Sequence, residues 1–113
     1  MPRASQFSSA VPYAVEVATG DFGARLKMAR LRRNVSIEDM AAKIGVSRHV
    51  VAAAERGKIG TGIGVYMAML WVLNLLEQQR AVADPRLDEE GLTLAFADER
   101  ERARARREID NDF

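Results

Sequence analysis

The chain has 113 residues, 48% of them hydrophobic and 29% charged, with one histidine and no cysteine. That length allows one domain with tails, burying roughly 60–70% of its unfolded-chain surface, and the composition excludes a disulfide scaffold and a Cys/His metal site. The formal net charge of +1 hides an asymmetry, because residues 1–62 carry ten Lys/Arg against five Asp/Glu and residues 63–113 carry seven against eleven.

Residues 1 to about 10 are rich in Ser, Ala and Gln and are expected to lack structure. In residues 11–19, Val11, Tyr13, Val15 and Val17 alternate at period two beside Pro12. This reads as an edge strand or arm that must find a pairing partner, or else as a loop entering the first helix. Helix one is expected from about Asp21 to Arg33, with Asp21 as its cap, Phe22, Leu26, Ala29 and Arg30 at helical spacing, and Asn34 as its stop. Arg25, Lys27, Arg30, Arg32 and Arg33 cluster here and suit attraction to phosphate.

Residues 36–58, SIEDMAAKIGVSRHVVAAAERGK, are the most informative stretch. Ser36 followed by Glu38 and Asp39 is a helix start, a hydroxyl for an orphan N–H and carboxylates at the positive helix end. Met40 and Ile44 share a core-facing stripe, and Ala41 is small enough to let another helix cross closely. Gly45 follows where the chain must turn left-handed, which costs a residue with a Cβ roughly 1–2 kcal/mol. Val46 closes the turn and Ser47 opens a helix of about nine residues, with Val46, Val50 or Val51, and Ala54 inward. Ser47, Arg48, His49, Ala52, Ala53 and Arg56 remain outward.

This is helix-turn-helix spacing, and a short helix with its polar groups at the N-terminal end fits a major groove about 12 Å wide. Arg48 can grip a guanine bidentately and His49 can meet a neighbouring base or phosphate, while Ala52 and Ala53 offer only methyl contacts, for instance to thymine. The candidate DNA-binding residues are therefore Ser36, Ser47, Arg48, His49, Ala52, Ala53, Arg56 and Lys58. With so few base contacts per chain, specificity is expected to draw on DNA shape and on a homodimer. No catalytic constellation is found, so the chain is expected not to be an enzyme and to need no cofactor and no metal.

The loop KIGTGIG lacks the lysine and hydroxyl that follow the last glycine of a phosphate loop, and Thr61 is expected to cap helix four instead. Helix four, GIGVYMAMLWVLN, is apolar nearly all round. A domain this small can cover only one side of it, so the other side, with Tyr66, Met69 and Leu73, is expected to be a dimer interface. Residues 75–83 form a fifth short helix ending before Asp84-Pro85. Beyond it, helix from Asp88 is preferred over a strand through Leu92, Leu94 and Phe96. From about residue 98 the tail has no apolar face and is expected to be a solvated helix or disordered until a partner orders it. The expected organisation is an N-terminal arm (1–20), a DNA-binding and dimerisation domain (21–83) and a tail that binds a partner (84–113). With neither an apolar leader nor an 18-residue apolar run, the chain is expected to be cytoplasmic and to have no membrane partner.

Residues 22–58 resemble the Xre-type helix-turn-helix shared with phage lambda repressor. The continuation through GIGVYMAMLWVLNLLE and ADPRLDEEGLTLAFADERERARARR is similar to HipB-like antitoxins. The resemblance implies an all-α, five-helix lambda-repressor-like fold and a dimeric repressor of its own operon that binds a double-stranded DNA operator and a HipA-like serine/threonine kinase toxin. It also implies that Arg48 and His49 approach bases, while Ser47, Arg56 and Lys58 approach phosphates. Two positions depart from the pattern: Ile37 stands where the fold usually has glutamine, and Ala54 is smaller than the usual core residue. A stand-alone Xre-type regulator of phage or mobile-element origin is the first alternative. A protein-interaction module without DNA binding, which Ile37, Ala52 and Ala53 allow, is the second.

Overall fold

The computed structural model describes residues 10–111. Its elements are α1 (Tyr13–Arg32), α2 (Ile37–Ile44), α3 (Arg48–Glu55), α4 (Ile63–Val72), a 3-10 helix (Leu76–Ala81) and α5 (Glu89–Asn111), so the protein is all-α, with no strand among the described residues. The chain divides into two compact units, one ending at Glu77 and the other beginning at Gln78. The expectation for residues 1–9 lies outside the described residues.

The period-two pattern at 11–19 is not a strand, and the first helix begins eight residues before the expected Asp21. Pro12 stands extended at its N-cap, with its carbonyl accepting from Val15 N at 3.0 Å and Glu16 N at 3.2 Å. A lone strand has unpaired backbone groups along both edges, whereas a helix satisfies its own. Ala14, Glu16 and Ala18 carry the helix through the segment, and Tyr13, Val15 and Val17 stay exposed on its surface. Asp21 is an exposed residue inside α1. The expected stop is observed: Asn34 takes φ +54°, and Val35 N donates back to Arg30 O at 3.2 Å.

The next two helices start where their hydroxyl caps place them. Ser36 Oγ accepts from Asp39 N at 3.0 Å and Ser47 Oγ from Val50 N at 3.4 Å. Between them Gly45 adopts φ +77°, and both Gly45 N and Val46 N donate to Ala41 O. This left-handed turn reverses the chain within three residues and sets α3 across α2.

Leu26, Met40, Ala41, Val51, Ala54, Tyr66, Met69, Leu70 and Leu73 form the core, drawn from α1 to α4 and the residue after α4. The Phe22 and Tyr66 rings tilt together with centroids 5.3 Å apart. Val51, rather than Val50, is the fully buried member of its pair. The expected dimer residues Tyr66, Met69 and Leu73 lie in this core and are at most 5% exposed. The physical reason is the direction of approach: α2 and α3 cover that side of α4, and of the helix only Ile63, Gly64 and Trp71 stay exposed.

Two features weld α1 to the end of α3. Arg30 Nε and the second guanidinium nitrogen donate to the two Glu55 carboxylate oxygens at 2.7 and 3.0 Å, and another donates to Val35 O at 2.9 Å. Both side chains are almost wholly buried, and the hydrogen bond to Glu55 raises the Arg30 pKa against the opposing pull of burial. Arg30 is thus a core residue and does not join the phosphate-facing cluster expected of its neighbours. Beside it, Gly23 lets the α1 backbone rest on the Ala54 and Glu55 carbonyls; a Cβ there would sit 2.5 Å from Ala54 O.

α4 starts at Ile63 with Gly62 as N-cap and no side-chain cap bond. Thr61 sits one position too early to cap it, and its N–H donates to Lys58 O at 3.0 Å. The expected fifth short helix is a single 3-10 segment. In the second unit, Arg86 forks onto Asp84 and lowers its carboxyl pKa through side-chain and backbone hydrogen bonds. α5 opens where Asp88 Oδ1 accepts from Gly91 N at 3.0 Å. It carries an Asp98–Arg102 pair one turn apart at 3.1 Å and buries none of its residues.

Candidate nucleic-acid interface

The N-terminal end of α3 projects Ser47, Arg48 and His49 into solvent, with Ser47 fixed by its cap bond. Val51, Ala54 and Glu55 face the core, so His49, two positions from Val51, points away from it, while Ser47 and Arg48 are exposed at the cap and first position of the helix. Arg48 keeps 66% of its side chain exposed and lies 3.4 Å from the Glu38 carboxylate on α2. An exposed pair at that distance is worth at most about 1 kcal/mol. The guanidinium is therefore free to exchange Glu38 for the O6 and N7 acceptors of a guanine.

Sequence reasoning missed Glu38. No local spacing joins it to Arg48 ten residues on, and only the crossing of α2 and α3 brings them together. Ser36 is exposed at the start of α2, with its hydroxyl engaged in the helix cap.

Further along α3 the surface is hollow rather than projecting. Ala52 is half-buried in a shallow depression shared with Lys27, Ile37 and Arg56. Ala53 is half-buried in another, shared with Val50, Lys58 and Thr61. Each methyl thus lines a hollow that also holds a cation, Lys27 and Arg56 in the first and Lys58 in the second. Arg56 and Lys58 are exposed beyond the helix end. Ile37 lines the first hollow with an apolar side chain.

On α1, Arg25, Lys27, Arg32 and Arg33 remain exposed once Arg30 is withdrawn into the core. Lys27 shares the Ala52 hollow with Arg56 and so extends the positive rim of α3 onto α1. Arg33 donates to Ala29 O at 2.9 Å, which draws it back along its own helix. No group of His, Cys, Asp and Glu among the described residues could hold a metal ion. Nor is any helix among them long and apolar enough to cross a membrane. The arrangement offers hydrogen-bond donors and positive charge to a polyanion from one helix end and its flanks. Residues 21–83 match the family described as a helix-turn-helix domain. No curated protein matches the chain.

Proposed function

This chain belongs to the helix-turn-helix domain family, and from that premise we propose that it is a sequence-specific, dimeric transcriptional repressor that autoregulates its operon as the antitoxin of a HipA-like kinase toxin. The observation that carries the DNA-binding part is the free N-terminal end of α3, where exposed Arg48 and His49 follow the Ser47 cap, flanked by exposed Arg56, Lys58 and Lys27. In this reading Arg48 and His49 meet base edges in the major groove, and Ser36, Ser47, Arg56 and Lys58 hold phosphates. Ala52 and Ala53 receive thymine methyls in their hollows. One helix end per chain reads too few base pairs for specificity alone, which supports two copies on a two-fold operator.

The antitoxin part is supported by the C-terminal likeness and by α5. Its exposed Leu92, Leu94 and Phe96 and its alternating charges make a surface that a protein partner could cover. A regulator of Xre type without a protein partner shares the DNA-binding half of this reading and differs only here.

A gel-shift titration with the DNA upstream of the gene tests the first part. The logarithm of affinity should fall with the logarithm of salt at a slope near −0.9 per phosphate neutralised. Arg48→Ala should cost roughly 1–3 kcal/mol on the operator and little on unrelated DNA. Salt-independent binding, or no shift at all, overturns it. Stoichiometric co-purification of a neighbour-encoded kinase through α5 separates the antitoxin from the stand-alone regulator.

A further inference from the structure

Arg48 is the first residue of α3 and Glu38 the second of α2. The crossing of the two helices sets one guanidinium nitrogen of Arg48 3.4 Å from a single Glu38 oxygen, and the two side chains stay 66% and 61% exposed. This contact is single and open to water, whereas Arg30 and Glu55 are buried and joined by two hydrogen bonds. Glu38 therefore adds little to the stability of the fold. Its carboxylate stands instead beside the cation that the reading above sends to a base edge.

An arginine at the mouth of a groove has two kinds of acceptor in reach. Phosphate oxygens line every sequence, and a cation that takes one binds DNA without regard to its bases. A guanine edge offers O6 and N7 together, which a guanidinium grips bidentately. We propose that Glu38 is a specificity-determining residue that holds Arg48 off the phosphates, so that Arg48 leaves it only for a guanine. Trading the Glu38 carboxylate for a phosphate exchanges one anionic oxygen for another and brings two like charges together, so little is gained. Trading it for guanine replaces one contact by two at an uncharged edge. Non-specific binding is thereby held down while operator binding is kept.

This inference rests on the DNA-binding reading proposed above and goes beyond it by giving an acidic residue of α2 a part in base selection. It also supplies the reason that losing Arg48 should cost little on unrelated DNA, where Arg48 makes no phosphate contact to lose.

The full chain and its Glu38→Gln variant are titrated over a range of salt against the upstream DNA and against an alternating A·T duplex, which has no guanine. Asp39→Asn serves as the control, because Asp39 is the next acid of the same helix turn, exposed and without an ion pair among the described residues. On the A·T duplex Glu38→Gln should bind about two- to fivefold more tightly, the range that an exposed pair supplies. Its salt slope there should steepen by about 0.9, as Arg48 takes up one more phosphate. Affinity for the upstream DNA should rise less, so the ratio of specific to non-specific binding falls. Asp39→Asn should keep the wild-type slope, and in an Arg48→Ala background Glu38→Gln should change nothing. Circular dichroism should show the same helix content in every variant.

Equal affinity and slope for Glu38→Gln and wild type on the A·T duplex overturns the proposal. So does a gain that survives in the Arg48→Ala background or that Asp39→Asn reproduces, because the effect is then general charge repulsion. A folded Glu38→Gln variant that loses the upstream DNA also overturns it, since Glu38 would then contact the DNA itself. If wild type binds both duplexes with the expected salt dependence while Glu38→Gln behaves identically, the DNA-binding reading stands and this inference alone falls. A wild-type chain that binds neither duplex sinks both.

Discussion

The unit built from α1 to α4 and the unit that carries α5 are both helical, but they are held by different forces. In the first, helices of only eight residues, α2 and α3, sit around Met40, Val51 and Ala54, none of which has any exposed surface. In the second, none of the 23 residues of α5 is buried. Eight residues are too few to form a stable helix in water, so α2 and α3 owe their order to packing and to their caps. α5 relies on local terms: the Asp88 cap, acidic Glu89 and Glu90 at its positive end, and side-chain pairs such as Asp98–Arg102. Such terms are worth roughly 0.3–1 kcal/mol each. Helix length is therefore a poor guide to where stability resides in this chain.

Substitutions can break that contrast, most strongly at the buried ion pair. Glu55→Ala leaves the Arg30 guanidinium buried without its carboxylate and should cost about 3–5 kcal/mol in chemical denaturation. A loss below 1 kcal/mol would mean that α1 is not welded to α3 as described. Gly57→Ala comes next. Gly57 holds φ +72°, and a Cβ there would lie 2.5 Å from the Gly20 Cα. The conformation alone should cost about 1–2 kcal/mol, and the backbone clash should add to it, seen as a lower midpoint of thermal unfolding. Ser36→Ala removes the cap of α2 and should cost about 1 kcal/mol by the same measurement, with Ser36→Asp restoring most of it. At the low end, Leu94→Ala in α5 should change the stability of the first unit by less than about 0.5 kcal/mol. A larger loss would show that α5 is part of the cooperative core.

The caps and the turn were legible because each depends on residues within three or four positions of one another. Ser36, Gly45 and Ser47 act on their own backbone neighbours, and all three behave as their residue types require. The start of α1 was misplaced because alternation of Val and Tyr signals a strand only if a second strand exists to pair with it. Thr61 was misjudged by one position, the usual scale of error for a helix end. At the candidate interface, the exposure of His49 followed from the helix period and that of Ser47 and Arg48 from their place at the capped start of the helix. The nearness of Glu38 to Arg48 and the withdrawal of Arg30 into the core did not, since both depend on how separate helices cross.

The all-helical class came with the family resemblance, while from residue order alone came the two capped helices around a glycine turn and the polar N-terminal end of the second. These are governed by short-range sterics and hydrogen bonds, which a local sequence specifies. Tertiary structure alone decided which side of the uniformly apolar α4 is buried, and it joined Arg30 to Glu55 across 25 residues of chain. An all-apolar helix has no preferred face of its own, and a buried ion pair has no local signature, so both are settled only when the other helices arrive.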